Sequence, residues 1–165
     1  MEIERKWLVN GWPEGLEMLH EERQRQGYLY AEAPIVRIRE EARDNEAPKY
    51  VLCIKSEGLL AREEIELEAS KEQFDALEGI IGLPLIEKTR RIYKIAGGLE
   101  LEVNLVDEGL PGQLMYTEIE FPSIEEAKAW TPEADGLSDY LVREVTEEPG
   151  QSMSGHWTRT RLGKA

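Results

Sequence analysis

The fold is decided by an alternating stretch at the N-terminus, EIERKWLV, which covers residues 2–9. Its charged residues Glu2, Glu4 and Lys6 stand two apart in the sequence. Because successive side chains of a β-strand point to opposite faces, these three charges would share one face of a strand. Taken alone, the pattern is typical of a solvated edge strand. The rest of the chain decides whether this face has a function instead.

Length and composition are those of one globular domain, which we expect to span residues 1–165. The hydrophobic fraction is 41% and the charged fraction 33%, and no apolar run is long enough to span a bilayer. The N-terminus lacks a signal-peptide pattern, and the single cysteine, Cys53, excludes an intrachain disulfide. These features predict a cytoplasmic protein with no membrane partner.

The net charge of −14 argues against a nucleic-acid polymer as partner, because such binding draws on an excess of Lys and Arg. A small polyanion is not excluded, since a cleft can be basic on a protein that is acidic overall.

Alternating segments continue along the chain and predict antiparallel strands. They cover residues 23–32, 34–41, 49–57, 62–69, 84–96, 99–107 and 113–121. Helical patterns are found at residues 71–82 and 123–130, and a short helix is predicted within residues 12–23. The tail from about residue 147 has no periodicity, and we expect part of it to be mobile.

The charged side chains of these segments mostly occur in pairs two residues apart, while apolar residues take the opposite face. They are Glu2, Glu4, Lys6, Arg37, Arg39, Lys55, Glu64, Glu66, Lys88, Arg90, Glu100, Glu102, Glu118 and Glu120. An open sheet packed against helices and a barrel with a charged interior would both show this pattern, and periodicity does not separate them.

The charges are sorted by sign, so that most segments carry either carboxylates or cations, whereas a solvated face usually mixes signs. Clustered carboxylates suit a hard cation such as Mg²⁺ or Mn²⁺, and clustered Arg and Lys suit phosphate oxygens. Together they predict a metal-bound polyphosphate site. His20 and His156 lie outside the strand patterns, and we interpret both as surface residues.

The order of these motifs resembles that of the CYTH superfamily, the triphosphate tunnel metalloenzymes. The matching motifs are EIERKWLV, QGYL (26–29), VRIR (36–39), CIKSEG (53–58), REEIE (62–66), IEKTR (86–90), LELEV (99–103), TEIEF (117–121) and REVT (143–146). The resemblance implies an α+β fold, mainly antiparallel β, in which a closed eight-stranded β-barrel forms a tunnel. The lumen would be charged, and a few helices would pack outside.

The resemblance also implies roles for individual residues. The metal would be held by Glu2, Glu4, Glu64, Glu66, Glu102, Glu118 and Glu120. The substrate phosphates would be bound by Lys6, Arg37, Arg39, Lys55, Lys88, Arg90 and Arg143. The catalytic residues would be Glu2, Glu4, Lys6 and Lys88, with Mg²⁺ or Mn²⁺ as cofactor. The chain departs from the family at Glu102, where Asp is common, and in the tail after EVT, which lacks the usual acidic run with Tyr and Asn.

The implied function is metal-dependent hydrolysis of a small polyphosphate, inorganic triphosphate, to diphosphate and phosphate. An adenylate cyclase, a thiamine triphosphatase and a non-enzymatic polyphosphate- or nucleotide-binding module remain as alternatives. An almost wholly charged lumen offers few contacts to a base, which favours the triphosphatase. The physiological substrate, the metal and the oligomeric state, including a homodimer, are left open.

Overall fold

A computed structural model describes residues 1–164 as ten strands and three α-helices, with two short 3₁₀ helices at Ala96–Gly98 and Pro132–Asp135. The strands are β1 (Glu2–Leu8), β2 (Met18–Tyr30), β3 (Ile35–Arg43), β4 (Lys49–Lys55), β5 (Ala61–Arg62), β6 (Glu64–Ala69), β7 (Ile86–Lys94), β8 (Glu100–Val106), β9 (Leu114–Glu120) and β10 (Arg143–Glu144). The α-helices are α1 (Lys71–Ile81), α2 (Ile124–Ala129) and α3 (Met153–Thr160).

The strands form one antiparallel sheet that curls into a nearly closed barrel. Their order is β10-β1-β9-β8-β7-β2-β3-β4-β6, and β5 pairs with β1. Ala61 lies opposite Ile3 and Arg62 opposite Glu2, so the short β5 brings the β6 end of the sheet back to β1. The predicted antiparallel barrel is confirmed. The strand count exceeds eight because Glu63 separates β5 from β6 and because β10 adds a two-residue pairing to β1.

The apolar core lies outside the barrel wall, beneath the helices. One cluster joins Ile3, Trp7 and Ile119 of β1 and β9 to Ala127 of α2. A second cluster packs Phe74 of α1 and Trp157 of α3 against Ile38 and Ile86 of the sheet. Because side chains alternate along each strand, burying these residues outside directs their charged neighbours into the lumen.

Both strongly patterned helices form where the sequence predicts them. Helix α1 begins after Ser70, whose side chain accepts a hydrogen bond from Gln73 N, and ends at Gly82, which has a positive φ of 66°. Helix α2 begins after Ser123, whose Oγ accepts a hydrogen bond from Glu126 N at 3.1 Å. Local capping chemistry therefore decides the ends of these helices.

The helix predicted within residues 12–23 is wrong, because β2 begins at Met18 and pairs with β7 from that residue onward. His20 therefore belongs to a strand, against the sequence interpretation, and its side chain is largely buried. The strand begins at residue 18, earlier than residue 23, where the sequence predicts its start. Pairing with both β3 and β7 outweighs the weak helical signal after Pro13.

The tail contains a helix that the sequence pattern does not reveal. Helix α3 is capped by Ser152 and buries Trp157, whose ring centroid lies 5.7 Å from that of Tyr28. The surface role of His156 is wrong, because this residue is only 2% exposed and its Nε2 lies 2.7 Å from Asp107 Oδ2. The mobility of the tail in solution stays a prediction. None of the helices in residues 1–164 is long and apolar enough to cross a membrane.

Candidate active site

The barrel encloses a polar cavity of about 300 Å³. Every predicted site residue except Lys88 and Arg143 lines it. The lining members of the predicted set are Glu2, Glu4, Lys6, Arg37, Arg39, Lys55, Glu64, Glu66, Arg90, Glu102, Glu118 and Glu120. The lumen is therefore assembled from charged residues of β1, β3, β6, β7, β8 and β9, together with Lys55 of β4.

The antiparallel register explains why these residues converge. Glu4 lies opposite Glu120, and Lys6 lies opposite Glu118. Glu118 also faces Glu102 across the β8–β9 pair. Since residues directly opposite one another share a face of the sheet, each pairing adds charged groups to the same lumen.

Glu4 and Glu118 form a buried carboxyl pair joined by a side-chain hydrogen bond. Burial, together with the charges of Glu118 and Glu2, holds the pKa of Glu4 well above its usual value. Burial by itself would raise the pKa of Glu118, but Lys6 and the hydrogen bond with Glu4 lower it to about 2. The two carboxyl groups repel each other, and a bound cation would reduce this repulsion.

Burial also raises the pKa of three further carboxyl groups of the cavity, those of Glu2, Glu102 and Glu120. Burial and a hydrogen bond with Glu64 raise the pKa of Glu2, although Lys55 opposes the shift. Burial and the charge of Glu102 raise the pKa of Glu120. Burial also raises the pKa of Glu102, although Arg90 opposes that shift. A divalent cation bound here would relieve these repulsions.

Lys55 bridges two of these carboxylates. Its Nζ lies 3.1 Å from Glu2 Oε1 and 3.1 Å from Glu64 Oε2. The contact with Glu64 lacks hydrogen-bond geometry, so among the described residues Glu64 Oε2 is a buried oxygen without a hydrogen-bond partner. Ligand atoms of Cys53, Glu64 and Glu66 lie within 4.8 Å of one another. Burial raises the pKa of the Cys53 thiol, so the carboxylate oxygens are the better donors for a hard cation. The residues present therefore fit a divalent metal.

Three guanidinium groups form the cationic side of the cavity. Arg39 Nε donates to Gln26 Oε1 at 3.1 Å, and Arg90 Nε donates to Asn104 Oδ1 at 2.8 Å. Arg37 is 5% exposed, and within residues 1–164 its Nε has no hydrogen-bond acceptor. Burial and the neighbouring guanidinium groups of Arg37 and Arg90 lower the pKa of Arg39. An anion placed among them would satisfy the free donor and reduce the repulsion.

Lys88 and Arg143 are not among the residues that line the cavity, and their contact with phosphate stays a prediction. Lys88 is 3% exposed, and its Nζ donates to Tyr116 Oη at 2.8 Å. Burial and the cations Arg90 and Arg39 hold its pKa well below the usual value. Arg143 pairs in register with Leu8, at the end of β1, and its exposed guanidinium binds Glu148, with Nη1 2.5 Å from Oε2.

Several lining residues were missed by the sequence reasoning. Glu22 and Gln26 both lie on β2 and are separated by an even number of positions, so they share a face of the strand. The alternation rule could therefore have predicted that both line the cavity. Arg62 belongs to the REEIE motif and lies opposite Glu2, so its Nε is 3.4 Å from Glu2 Oε1. Tyr116 also lines the cavity.

The C-terminal segment contributes further positions that the sequence reasoning missed. Gln151, Ser152, Met153 and Ser154 all line the cavity, and Lys6 Nζ donates to Gln151 O at 2.5 Å. No local pattern marks these residues, because they reach the lumen only when α3 packs on the barrel. Burial lowers the pKa of Lys6, while Glu118 and Glu4 oppose the shift.

Comparison with known proteins assigns the family. The CYTH domain matches residues 1–148. An inorganic triphosphatase from Nitrosomonas europaea is 35% identical over 147 residues, which cover 89% of this chain and 90% of the relative. A crystal structure of an inorganic triphosphatase superposes with a TM-score of 0.61 at 31% identity, covering 93% of this chain and 95% of the other.

A protein from Pyrococcus horikoshii shares the fold, with a TM-score of 0.57 at 23% identity over 78% of this chain and 82% of that protein. The residues that the CYTH domain matches, 1–148, include all the charged strands that build the cavity. The chain belongs to the CYTH family.

Proposed function

We propose that this protein hydrolyses inorganic triphosphate to diphosphate and phosphate with Mg²⁺ or Mn²⁺, and that it does so in the cytoplasm. One observation carries the proposal: both sides of the same cavity are incompletely paired. On the carboxylate side, Glu64 Oε2 is a buried oxygen without a hydrogen-bond partner and the pKa of Glu4 is raised, and on the guanidinium side Arg37 Nε has no acceptor among the described residues. A metal–triphosphate complex supplies the missing cation and the missing anion together. The similarity to an inorganic triphosphatase over 89% of the chain supports this substrate class.

The cationic residues bind and orient the substrate. Arg37, Arg39 and Arg90 contact phosphate oxygens, where the planar fork of a guanidinium matches two oxygens at once. Lys55 lies between Glu2 and Glu64 and is placed to bridge the metal side and the phosphate side. Positioning and charge neutralisation make the largest contributions to phosphoryl transfer, because little covalent chemistry falls to the protein.

The carboxylates hold the cation and the attacking water. Glu2, Glu4, Glu64, Glu66, Glu102, Glu118 and Glu120 are the proposed metal-side residues. When bound, the divalent cation supplies neutralisation of phosphate charge and polarisation of the attacking water. Lys6 and Glu4 are the groups we assign to proton movement at that water, since both face Glu118 inside the cavity. Water adds to the terminal phosphorus, and the bridging oxygen leaves with diphosphate.

The aromatic residues of the cavity argue against a nucleotide cyclase. A base would need an open aromatic face and hydrogen bonds to its edge. Lys6 Nζ lies over the face of the Tyr116 ring, 4.0 Å from its centroid. Tyr28 is 7% exposed, packs against Trp157, and its hydroxyl accepts a hydrogen bond from Gln26 at 3.0 Å. Neither ring is free to stack on adenine.

The proposal is tested by measuring kcat/KM for inorganic triphosphate, ATP and thiamine triphosphate, first with Mg²⁺ and then with Mn²⁺. Phosphate release is followed directly, and nucleotide products are separated by chromatography. Inorganic triphosphate should be the best substrate, and no cyclic AMP should form. Cyclic AMP as the main product, or a tenfold preference for ATP, would overturn the assignment. Tight binding of triphosphate without phosphate release would instead identify a binding module.

A further inference from the structure

The N-terminus of α3 opens into the cavity. Ser152, Met153 and Ser154 all line it, and Ser154 is only 7% exposed. The first amides of a helix have no acceptor within the helix itself. Those of Met153 and Ser154 donate no hydrogen bond to a described residue, whereas Gly155 N donates to Ser152 Oγ at 3.1 Å. Helix α3 follows residue 148, where the match to the CYTH domain ends, so the family motifs do not account for these donors.

The hydroxyl groups of the two serines are coupled to each other. Ser152 Oγ lies 2.8 Å from Ser154 Oγ. Because Ser152 Oγ accepts the hydrogen bond from Gly155 N, its own proton can be donated to Ser154 Oγ. This arrangement leaves the Ser154 proton for an acceptor in the cavity. The end of α3 therefore offers one hydroxyl and two amides as donors.

A lysine of the cavity lies at this end of α3. Lys6 Nζ donates to Gln151 O at 2.5 Å, and Gln151 immediately precedes Ser152, the N-cap of the helix. A cation is unfavourable at a helix N-terminus, because the helix dipole is positive there. An anion at the same place is attracted both by the ammonium group and by the amides of the first turn.

Arg37 gives independent support for an anion at this end of the cavity. It lies opposite Tyr28 in the β2–β3 register, and Tyr28 packs in one cluster with Met153 and Trp157 of α3. The Arg37 side chain is 7% exposed, and its Nε has no hydrogen-bond acceptor in residues 1–164. Buried polar groups in native proteins nearly always have a partner, so the free guanidinium donor indicates that a ligand is bound here.

We propose that the N-terminus of α3 is a phosphate subsite, in which the Ser154 hydroxyl and the amides of Met153 and Ser154 bind one terminal phosphate group of the substrate. The inference rests on the proposed triphosphatase function and adds substrate-binding residues to it. A terminal phosphate has three non-bridging oxygens and carries more charge than the central one, which suits three donors beside an ammonium group. Lys6 then contacts the same phosphate from the barrel side.

The test uses variants of the two serines that keep α3 capped. Ser154→Ala removes the hydroxyl donor. Ser152→Asp keeps an oxygen that accepts from Gly155 N, and its charge favours the helix end, but it places a carboxylate where the phosphate would bind. Ser152→Asn has the same size without the charge. The matched control is Thr158→Val, which removes a hydroxyl of α3 that donates to Ser154 O and does not line the cavity.

Binding of inorganic triphosphate with Mg²⁺ is measured by titration calorimetry, and kcat/KM by phosphate release. Ser154→Ala should weaken binding by about 10-fold, the size of one hydrogen bond to a charged group. Ser152→Asp should bind at least about 10-fold more weakly than Ser152→Asn, although its Tm is the same or higher. Thr158→Val should bind as the wild type does. Thermal unfolding of every variant checks that it is folded.

Three outcomes would overturn the inference. Wild-type affinity of Ser154→Ala would show that the hydroxyl does not contact the substrate. Equal affinities of Ser152→Asp and Ser152→Asn would show that no phosphate lies at the helix end. A loss for Thr158→Val as large as that for Ser154→Ala would show that binding depends only on an intact helix.

Failure of the proposed function gives a different result. If the wild type binds triphosphate but releases no phosphate, the protein is not a triphosphatase, and the affinities of the variants still decide whether α3 binds a phosphate group. If the wild type does not bind triphosphate at all, both the proposed function and the subsite are refuted.

Discussion

Replacing Arg161 by alanine should loosen the attachment of α3 to the barrel and lower the stability of the whole domain. The Arg161 guanidinium donates two hydrogen bonds to Asp107, from Nη1 to Oδ2 at 2.5 Å and from Nη2 to Oδ1 at 3.0 Å. It also donates to Pro84 O at 3.0 Å and to Leu85 O at 3.1 Å. These bonds tie the end of α3 to the segment that leads into β7.

The size of the expected loss in stability follows from the burial of the Arg161–Asp107 ion pair. The Arg161 side chain is 7% exposed and the Asp107 side chain 1%. Removing one partner of a buried ion pair costs about 3–5 kcal/mol, because the other charge stays buried. In the variant, Asp107 Oδ2 still has His156 Nε2 at 2.7 Å, so we expect a loss of stability at the lower end of this range, about 3 kcal/mol. At about 2–4 °C per kcal/mol for a chain of this length, Tm should fall by about 6–12 °C.

Thermal unfolding followed by circular dichroism measures this change, with Arg143→Ala as the matched control. Arg143 also forms an ion pair with a carboxylate, but the two side chains are 55% and 41% exposed. Exposed pairs contribute about 0–1 kcal/mol, so the control should shift Tm by no more than about 4 °C. Equal shifts for the two variants would refute the argument that the buried clamp stabilises the fold.

Two further predictions concern the carboxyl pair and the buried histidine. Glu4→Gln should lower phosphate release at saturating Mn²⁺ by more than about 100-fold, because the amide removes a metal-binding charge. The Tm should stay the same or rise, because the variant also removes the repulsion between Glu4 and Glu118. Activity within about threefold of wild type would place Glu4 away from the metal. Burial lowers the pKa of His156 below 6.5 in the folded protein. The unfolded chain therefore binds more protons than the folded protein in this pH range. The stability that the neutral His156 contributes is lost as the pH falls from 6.5 through the folded-state pKa. The wild type should therefore lose more unfolding free energy than His156→Gln in urea titrations at pH 7 and pH 5, and equal losses would contradict the prediction. Arg161 lowers the pKa of Asp107 from 3.8 against the effect of burial, so titration of Asp107 changes the stability only below pH 5, outside the range of this comparison.

The sequence by itself determined which side chains share a face. Alternation depends on the two-residue period of a strand, which is a local property, so the residues that share the charged face of β1 could be inferred from EIERKWL. Capping is equally local, and it placed the ends of α1 and α2 at Ser70, Gly82 and Ser123. The resemblance in motif order then led from these faces to a barrel and a triphosphate site.

Only the tertiary structure decided which of the charged residues reach the cavity. Lys88 and Arg90 belong to one alternating pair, yet Arg90 lines the lumen and Lys88 lies behind Tyr116. The sequence period assigns a face but carries no information on depth along the tunnel, which depends on the register of neighbouring strands. Helix α3 was missed for a related reason. Its position depends on the contacts of Trp157 and Arg161 with residues far away in the chain, and a local pattern cannot encode contacts that form only when the barrel is complete.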